Sequence, residues 1–336
     1  MKDIQIGLIG LGYWGPNLIR NFFSTRGCKV TAIADLQVEK LEKYKAIYPG
    51  IETSDNAETL IRSKNIDAIV IATPVFSHYP LAKTALENDK HVLVEKPMAS
   101  SVKEAEMLIG LALRKNKILM TDHTFLYTGA VQKIKELINN DVIGKLKYID
   151  STRINLGLFQ PDINVLWDLA PHDISILNYI CSEKPVAIQA VGVCHTKNGM
   201  ENIAYLTLKY QSDLIAHFNC SWTSPVKIRK FLIGGNKKMI VYDDMEPTEK
   251  VKLYDTSFEY RSEEDRRRIL VDYRTGDIFV PKLSTSEALS GVTNDFVNSI
   301  VNQTTPVSDA IISLNVVKVL EAAQKSIKQH GVEIPI

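Results

Sequence analysis

Two periods alternate along the first third of the chain. Ile4–Ile9 (IQIGLI) is a short apolar run that ends in glycine. Over residues 15–24 the apolar positions Leu18, Ile19, Phe22 and Phe23 recur at helical spacing. Residues 30–34 form a second strand-like run, followed by a polar helical stretch to about residue 47. Asp55, with Glu58 three residues on, reads as an N-cap with its capping-box partner, opening a short helix. Residues 68–72 (AIVIA) are apolar at every position, as a strand covered on both faces must be. A helix over about 77–88 precedes a strand at 91–94. Ser101 with Glu104 caps another helix that ends near 115, and 118–120 is a sixth strand. Strands alternating with helices call for right-handed βαβ crossovers and a parallel sheet. The fold predicted for residues 1–121 is therefore an α/β, doubly wound Rossmann domain.

After about residue 121 the rhythm changes. An amphipathic helix spans about 129–140, with Val131, Ile134, Leu137 and Ile138 on one face. Residues 145–155 alternate like a strand with one exposed face, and a helix follows over about 165–180. Alternating segments come next at 186–196, 203–210, 214–222, 228–233 and 239–242. Strands in series predict an open, mainly antiparallel sheet in an α+β domain over 122–336. Two helices, about 287–302 and 310–330, close the chain.

Composition narrows the function classes. The 336 residues are 45% hydrophobic and 24% charged, the mix of an ordinary globular protein of about two domains. Lys plus Arg number 40 and Asp plus Glu 39, so no global excess of positive charge exists to hold a nucleic acid or an anionic membrane. Four scattered cysteines, none at metal-site spacing, read as reduced thiols of an intracellular protein. The apolar run at the N-terminus is too short to span a membrane and no cleavage site follows it, so the expected location is cytoplasmic. The densest charge cluster, 261–268 (RSEEDRRR), is mixed in sign and reads as a solvated surface element.

Gly10-Leu11-Gly12-Tyr13-Trp14-Gly15 fits G-x-G-x-x-G, after a strand and at the opening of a helix. The first glycine permits a tight turn, the second lets pyrophosphate approach the backbone, and the third packs helix on sheet. The helix N-terminus adds unpaired N–H groups and partial positive charge. Asp35 ends the second strand at the spacing of the acid that accepts hydrogen bonds from the adenosine ribose. It would repel a 2′-phosphate, and neither Leu36 nor Gln37 offsets that, so NAD is the expected cofactor rather than NADP. Ligands of open α/β sheets bind outside the carboxyl ends of the strands. Thr73, Pro74, His78 and Glu95-Lys96-Pro97 are thus expected to line one crevice.

In the second half, Asp168-Leu169-Ala170-Pro171-His172-Asp173 is the most informative stretch. Asp168 and His172, four apart on a helix, share a face. Pro171 is expected in the first helical turn. An Asp bonded to one imidazole nitrogen fixes the tautomer and leaves the other nitrogen to take a proton. A purely structural His–Asp pair is the plain alternative. A metal site is not expected, because no third ligand cluster appears. Hydride transfer from a secondary alcohol needs a base. Histidine, near ~6.5, needs little tuning, whereas a lysine near ~10.4 must fall by about 3 units, roughly 4 kcal/mol. His172 is therefore read as general base. Lys96 is read as the donor that orients the hydroxyl and stabilises developing alkoxide. Arg153 and Asn155, on the strand leading to this region, fit either a substrate carboxylate or phosphate or an ordinary strand face.

Taken together, Gly10 to Gly15, Asp35, Ala72-Thr73-Pro74 with His78, Glu95-Lys96-Pro97 and Asp168 with His172-Asp173 resemble the glucose–fructose oxidoreductase, inositol dehydrogenase and rhizopine-catabolism (Gfo/Idh/MocA) family over essentially the whole chain. The resemblance implies a Rossmann domain and a C-terminal domain whose large open sheet builds homodimers or homotetramers. It implies that Lys96, Asp168 and His172 contact the reacting carbon of a sugar or polyol. Tyr13, Trp14, Thr73, Pro74, His78, Glu95, Lys96 and His123 fall on the cofactor side. Lys96, Arg153, Asn155, Trp167 and His172 fall on the substrate side. Tyr13-Trp14, Leu166-Trp167 and Trp222-Thr223-Ser224-Pro225 are similar to a surface-polysaccharide branch that oxidises or reduces C3 of nucleotide-linked sugars. The resemblance also admits 3-ketosugar reductases, inositol 2-dehydrogenases and non-catalytic cofactor-binding regulators. Retention of Lys96, Asp168 and His172 speaks against the regulator. The chain departs from the family at Asn164-Val165-Leu166-Trp167 (several glycines elsewhere), Ala170 (glycine) and Thr124 (arginine), all on the substrate side.

Overall fold

The apolar runs of the first third become six parallel strands. They are β1 (Ile4–Ile9), β2 (Cys28–Ala34), β3 (Glu52–Ser54), β4 (Ala68–Ile71), β5 (His91–Glu95) and β6 (Leu119–Asp122). Their order in the sheet is β3-β2-β1-β4-β5-β6, every pair parallel. The chain reverses direction across the sheet between β1 and β4, the switch point at which doubly wound sheets bind ligands. The crossovers are helical: α1 (Gly15–Ser24), α2 (Val38–Ile47), α3 (Ala57–Arg62), α4 (His78–Glu87) and α5 (Val102–Lys115). All four residues of β4 are buried, as their unbroken apolar run requires. The computed structural model describes residues 3–157, 163–197, 199–255, 257–259, 272–274 and 276–336. The 261–268 charge cluster lies outside them.

Two caps show how the sequence sets these helices. Ser101 Oγ accepts from the Glu104 N–H (3.3 Å) while Glu104 Oε2 accepts from the Ser100 N–H (3.0 Å). α3 differs from the expectation at Asp55. Its cap is Asn56, whose Oδ1 accepts from the Glu58 N–H at 2.9 Å. The helix begins at Ala57, which makes Asn56 the residue immediately before its first turn and places its side chain, rather than that of Asp55, at the N-cap position.

The chain divides into two compact units, residues 1–128 with 286–318, and residues 129–285 with 319–336. The C-terminal helix α8 (Ala288–Asn302) and the first half of α9 (Ala310–Lys328) thus complete the parallel-sheet unit. α8 packs on α1, with Phe22 and Phe296 edge to face at 6.3 Å.

The second unit opens with α6 (Gly129–Asn139), β7 (Leu146–Leu156) and α7 (Val165–Ile180). Further strands follow: β8 (Pro185–Val193), β9 (Ile203–Tyr210), β10 (Ile215–Ser221), β11 (Thr223–Gly235), β12 (Met239–Asp243) and β13 (Val251–Tyr254). A hairpin of β14 (Ser257–Glu259) with β15 (Asp272–Arg274) stands apart, and β16 (Ile278–Phe279) and β17 (Ile334–Pro335) are edge strands. The nine-stranded order is β16-β13-β12-β11-β7-β10-β9-β8-β17. Every pair is antiparallel except β7 with β10. α7 lies against β7, β9 and β10, and its buried residues Leu166, Ile174 and Leu177 join the core over that face. Among the described residues no helix is long and apolar enough to cross a membrane.

Candidate active site

The glycine loop leaves β1 at the switch point, and its three glycines divide the work as their spacing demands. Gly10 has φ +98°, and a Cβ there would lie 2.5 Å from the Ala72 carbonyl oxygen. A Cβ on Gly15 would lie 2.1 Å from the Gly10 carbonyl oxygen, so any larger residue would push α1 off the strand. At Gly12 a Cβ would meet nothing within 4 Å. That opening leaves the backbone at Gly12 open to close approach. α1 begins at Gly15 with Trp14 as N-cap, no side chain capping its first N–H groups and no acid in its first turn. An anion is the natural complement of such an end. Tyr13 and Trp14, edge to face at 5.3 Å, are exposed beside it.

Asp35 follows β2. Its Oδ2 accepts from the Leu11 N–H at 2.6 Å and its Oδ1 from the Gln37 N–H at 2.9 Å. The carboxylate is thereby held against the glycine loop with lone pairs to spare for hydroxyl donors. Lys40 Nζ stands 3.9 Å from Oδ2, a cation that reading only as far as Gln37 missed. An open phosphate cradle, an uncapped helix start and a fixed carboxylate fit a dinucleotide.

The loops after β4 and β5 are joined by His78. It is 1% exposed, with Nδ1 2.8 Å from the Pro97 carbonyl oxygen and Nε2 2.7 Å from the Thr73 carbonyl oxygen. Burial, with help from Lys96, pushes its pKa down, while the two carbonyls pull it up. Both ring nitrogens lie against backbone carbonyls, and the one that carries the proton donates, so His78 ties the two loops together. Ser77 Oγ donates to Thr73 Oγ1 at 2.7 Å, bracing the same turn. Pro74 caps the short 3₁₀ turn Val75–Ser77 that leads into α4.

Glu95 is the last residue of β5, and Lys96, half-buried, begins the loop; the Lys96–Pro97 peptide is cis. The Lys96 N–H donates to Glu95 Oε2 at 3.3 Å. On the neighbouring strand Asp122 is the register partner of Glu95. Sequence reading did not single it out. Thr124 Oγ1 donates to Asp122 Oδ1 at 2.5 Å, so Thr124 serves the β6 terminus. His123 is fully buried; burial and the Lys96 charge push its pKa down to about 3, so its imidazole is neutral. The 286–318 segment braces this end of β6. Ser308 Oγ donates to the Thr121 carbonyl at 2.5 Å, the Ser308 N–H to Tyr127 Oη at 3.2 Å, and Tyr127 Oη to Asp295 Oδ2 at 2.6 Å.

In the second unit the candidate residues gather around the start of α7. The helix is capped by Asn164, whose Oδ1 accepts from the Trp167 N–H at 3.2 Å and whose Nδ2 donates to Glu201 Oε2 (2.7 Å) and Gln324 Oε1 (2.5 Å). Pro171 is therefore inside the helix, not in its first turn as expected. A proline there removes an i→i−4 bond and crowds the carbonyl four residues back, which is that of Trp167. Asp168 is in the first turn, and the buried Trp222 donates from Nε1 to its Oδ2 at 3.1 Å. His172, half-buried, lies one turn on.

Arg153 is placed differently from either expectation. It is 3% exposed and clamps Asp173 from within, with Nε 2.7 Å and a terminal nitrogen 2.5 Å from Oδ1. Ser151 Oγ donates to the other oxygen of Asp173 at 2.8 Å. This buried pair anchors α7 to β7 at the residue next to His172. Asn155, half-buried and two residues beyond Arg153, lies on the same face of β7; Trp167 is half-buried in the first turn of α7. Among the described residues no group of three or more His, Cys, Asp or Glu is arranged to hold a metal ion.

Comparison with known proteins adds the following. Residues 4–123 match the model of an oxidoreductase family with an NAD-binding Rossmann fold, and residues 131–241 match the GFO/IDH/MocA C-terminal domain. The chain is 26% identical over 197 residues (56% of this chain, 50% of the relative) to a 1-carboxy-3-chloro-3,4-dihydroxycyclohexa-1,5-diene dehydrogenase of Comamonas testosteroni. It is 26% identical over 196 residues (57% and 59%) to the UDP-N-acetylglucosamine 3-dehydrogenase of Acidithiobacillus ferrooxidans. Such alignments span only half to three-fifths of the relatives' length. The solved structure of that second dehydrogenase superposes with a TM-score of 0.82 at 21% identity, covering 98% of this chain and 99% of the other, which is a likeness of fold.

Proposed function

Because the chain belongs to the Gfo/Idh/MocA oxidoreductase family and carries its NAD-binding Rossmann domain, we propose that it transfers a hydride between nicotinamide and a secondary alcohol of a sugar, at C3 of a nucleotide-linked hexose or uronic acid. The observation that carries this reading is the position of Lys96. It follows the last residue of β5, at the carboxyl edge of the same sheet whose glycine loop and Asp35 form the dinucleotide cradle. The nucleotide-sugar part is supported by the relative that is a UDP-N-acetylglucosamine 3-dehydrogenase and by the Tyr13-Trp14 and Trp222 to Pro225 segments.

The backbone around Gly12 and the first turn of α1 would hold the pyrophosphate, and Asp35 the adenosine ribose. Asp35 favours NAD over NADP, with Lys40 offsetting part of its charge. When bound, the nicotinamide supplies the hydride acceptor or donor. The rest is the work of this chain. His172 takes the hydroxyl proton in the oxidation direction and returns it in reduction. Asp168, itself held by the Trp222 indole, orients that imidazole. Lys96 donates to the substrate oxygen and stabilises charge developing on it. Arg153 acts at one remove, fixing α7 through Asp173, while Asn155 and Trp167 face the substrate.

The test is NADH absorbance with a panel of UDP-hexoses, UDP-uronic acids and free inositol, in both directions. Turnover with a nucleotide sugar is expected. In Lys96→Ala and His172→Ala it should fall by about 10²–10⁴-fold, with the NAD dissociation constant changed by less than about threefold. Binding of NAD without turnover of any substrate would make the protein a cofactor-responsive regulator instead.

A further inference from the structure

Five buried side-chain atoms at the carboxyl ends of β5 and β6 find no hydrogen-bond partner among the described residues. They are Glu95 Oε1, Thr121 Oγ1, Asp122 Oδ2 and both ring nitrogens of His123. Buried polar atoms are rarely left this way. For the two carboxyl oxygens among them, the pairing of their strands supplies an explanation. Glu95 and Asp122 are opposite one another on adjacent parallel strands, which places their side chains on one face, about 5 Å apart at the backbone. Each has one oxygen engaged, Glu95 Oε2 by the Lys96 N–H and Asp122 Oδ1 by Thr124. The oxygens left over are one from each. Two ionised carboxylates offer acceptors only and cannot satisfy each other. One proton between them turns one of these oxygens into a donor, pairs both, and reduces the buried charge from two negatives to one.

We propose that Glu95 and Asp122 hold a single proton between them, and that this acid–carboxylate pair is a positioning device for Lys96, presenting it with one fixed negative charge. This rests on the role given to Lys96 above. The surroundings agree. Burial pushes both carboxyls above the ordinary carboxylate range, and the Asp122 charge adds to this at Glu95. The Lys96 charge acts on both carboxyls, pulling them down against the effect of burial, and is felt in turn by His78 and His123. Tyr127, bonded to Asp295, faces Asp122 from the turn after β6. Lys96 is the cation common to the two carboxyls, and the neutral His123 does not compete with it. Removing the shared proton at alkaline pH doubles the charge facing Lys96. The ammonium is then drawn to the sheet edge and away from the substrate hydroxyl.

The primary readout is infrared absorption of the whole protein near neutral pH. A protonated-carboxyl C=O stretch is expected in the wild type, lost on alkaline titration and missing from both Asp122→Asn and Glu95→Gln. In each variant an amide donates where the acid did, so the local charge stays at one negative. The second readout is kcat against pH. Asp122→Asn should keep turnover near pH 7 within about threefold of wild type and shift the alkaline limb upward by about one pH unit or more. A wild type without the band, or a band that survives in both variants, overturns the shared proton, and the wild-type spectrum requires no variant to fold. An Asp122→Asn enzyme with an unchanged alkaline limb overturns the positioning role. The band is independent of what Lys96 does, so a Lys96→Ala enzyme with full turnover would sink the role of Lys96 while leaving the pair standing.

Discussion

His91 and His123 are imidazoles that the fold keeps neutral. Burial and nearby Lys117 lower the pKa of His91 to about 4, and burial with Lys96 lowers that of His123 to about 3. His91 also spends its Nδ1 as acceptor for the Ile118 N–H at 3.0 Å. A histidine in the unfolded chain titrates near ~6.5. Below that pH the unfolded state takes up protons that the folded state refuses, so stability is lost as pH falls from ~6.5 toward the folded values. Each site contributes a slope of up to about 1.4 kcal/mol per pH unit. Denaturant melts between pH 7 and 4.5 should show this decline, and His91→Gln, which can still accept from Ile118, should flatten it by one proton. An unchanged slope would mean that His91 titrates normally in the fold. Single residues were legible in the sequence where a motif fixes their spacing, as at Gly10, Gly12, Gly15 and Asp35. Asp122 was not, because its significance comes from strand register. Nothing in the linear pattern places residue 122 beside residue 95.

Helix α7 shows both sides of legibility for an element. Its bounds follow from apolar periodicity, but its cap at Asn164 was found only in the structure, since placing Pro171 in the first turn points to Asp168 as the near-cap residue. The interior position of Pro171 does not follow either, since a proline normally signals a first turn. What holds the helix despite the proline is tertiary. Arg153 reaches across from β7 to Asp173, and Trp222 from the β10–β11 junction to Asp168. The strand 145–155 read as half-exposed, which hid an inward-facing arginine, because an isolated Arg on an alternating strand defaults to the solvent side. The parallel pairing of β7 with β10 was equally hidden, because it depends on which strands meet. Removing one member of a buried ion pair leaves the other charge unpaired and costs about 3–5 kcal/mol. Arg153→Met should therefore lose that much by chemical denaturation. Arg153→Met with Asp173→Leu should recover most of it. Near-wild-type stability in Arg153→Met alone would show that Asp173 is not relying on the guanidinium.

At the scale of the whole molecule, the sequence rhythm changes near residue 121, yet the parallel-sheet unit continues to Thr128 and takes in residues 286–318. Periodicity identified the two closing helices without telling what they cover, since an amphipathic stripe states that a face is buried but not against which partner. The contacts are specific. Leu289, Val292, Phe296, Val297 and Ile300 of α8 are buried, Thr25 Oγ1 meets Thr293 Oγ1 at 2.8 Å, and Arg20 pairs with Glu287. Burial of each large apolar side chain is worth about 1.5–3 kcal/mol. Five of them together match the whole stability of a typical domain, about 5–15 kcal/mol. A chain ending at residue 128 should thus fail to fold and fail to bind NAD. Residues 1–128 joined by a flexible linker to 286–318 should regain a cooperative thermal transition and NAD affinity, because the returning segment both closes the core over α1 and braces the end of β6 through Ser308. Circular dichroism melts with and without NAD read both. A cooperative, NAD-binding 1–128 fragment would show that the parallel sheet is self-sufficient and that the C-terminal helices merely lie on it.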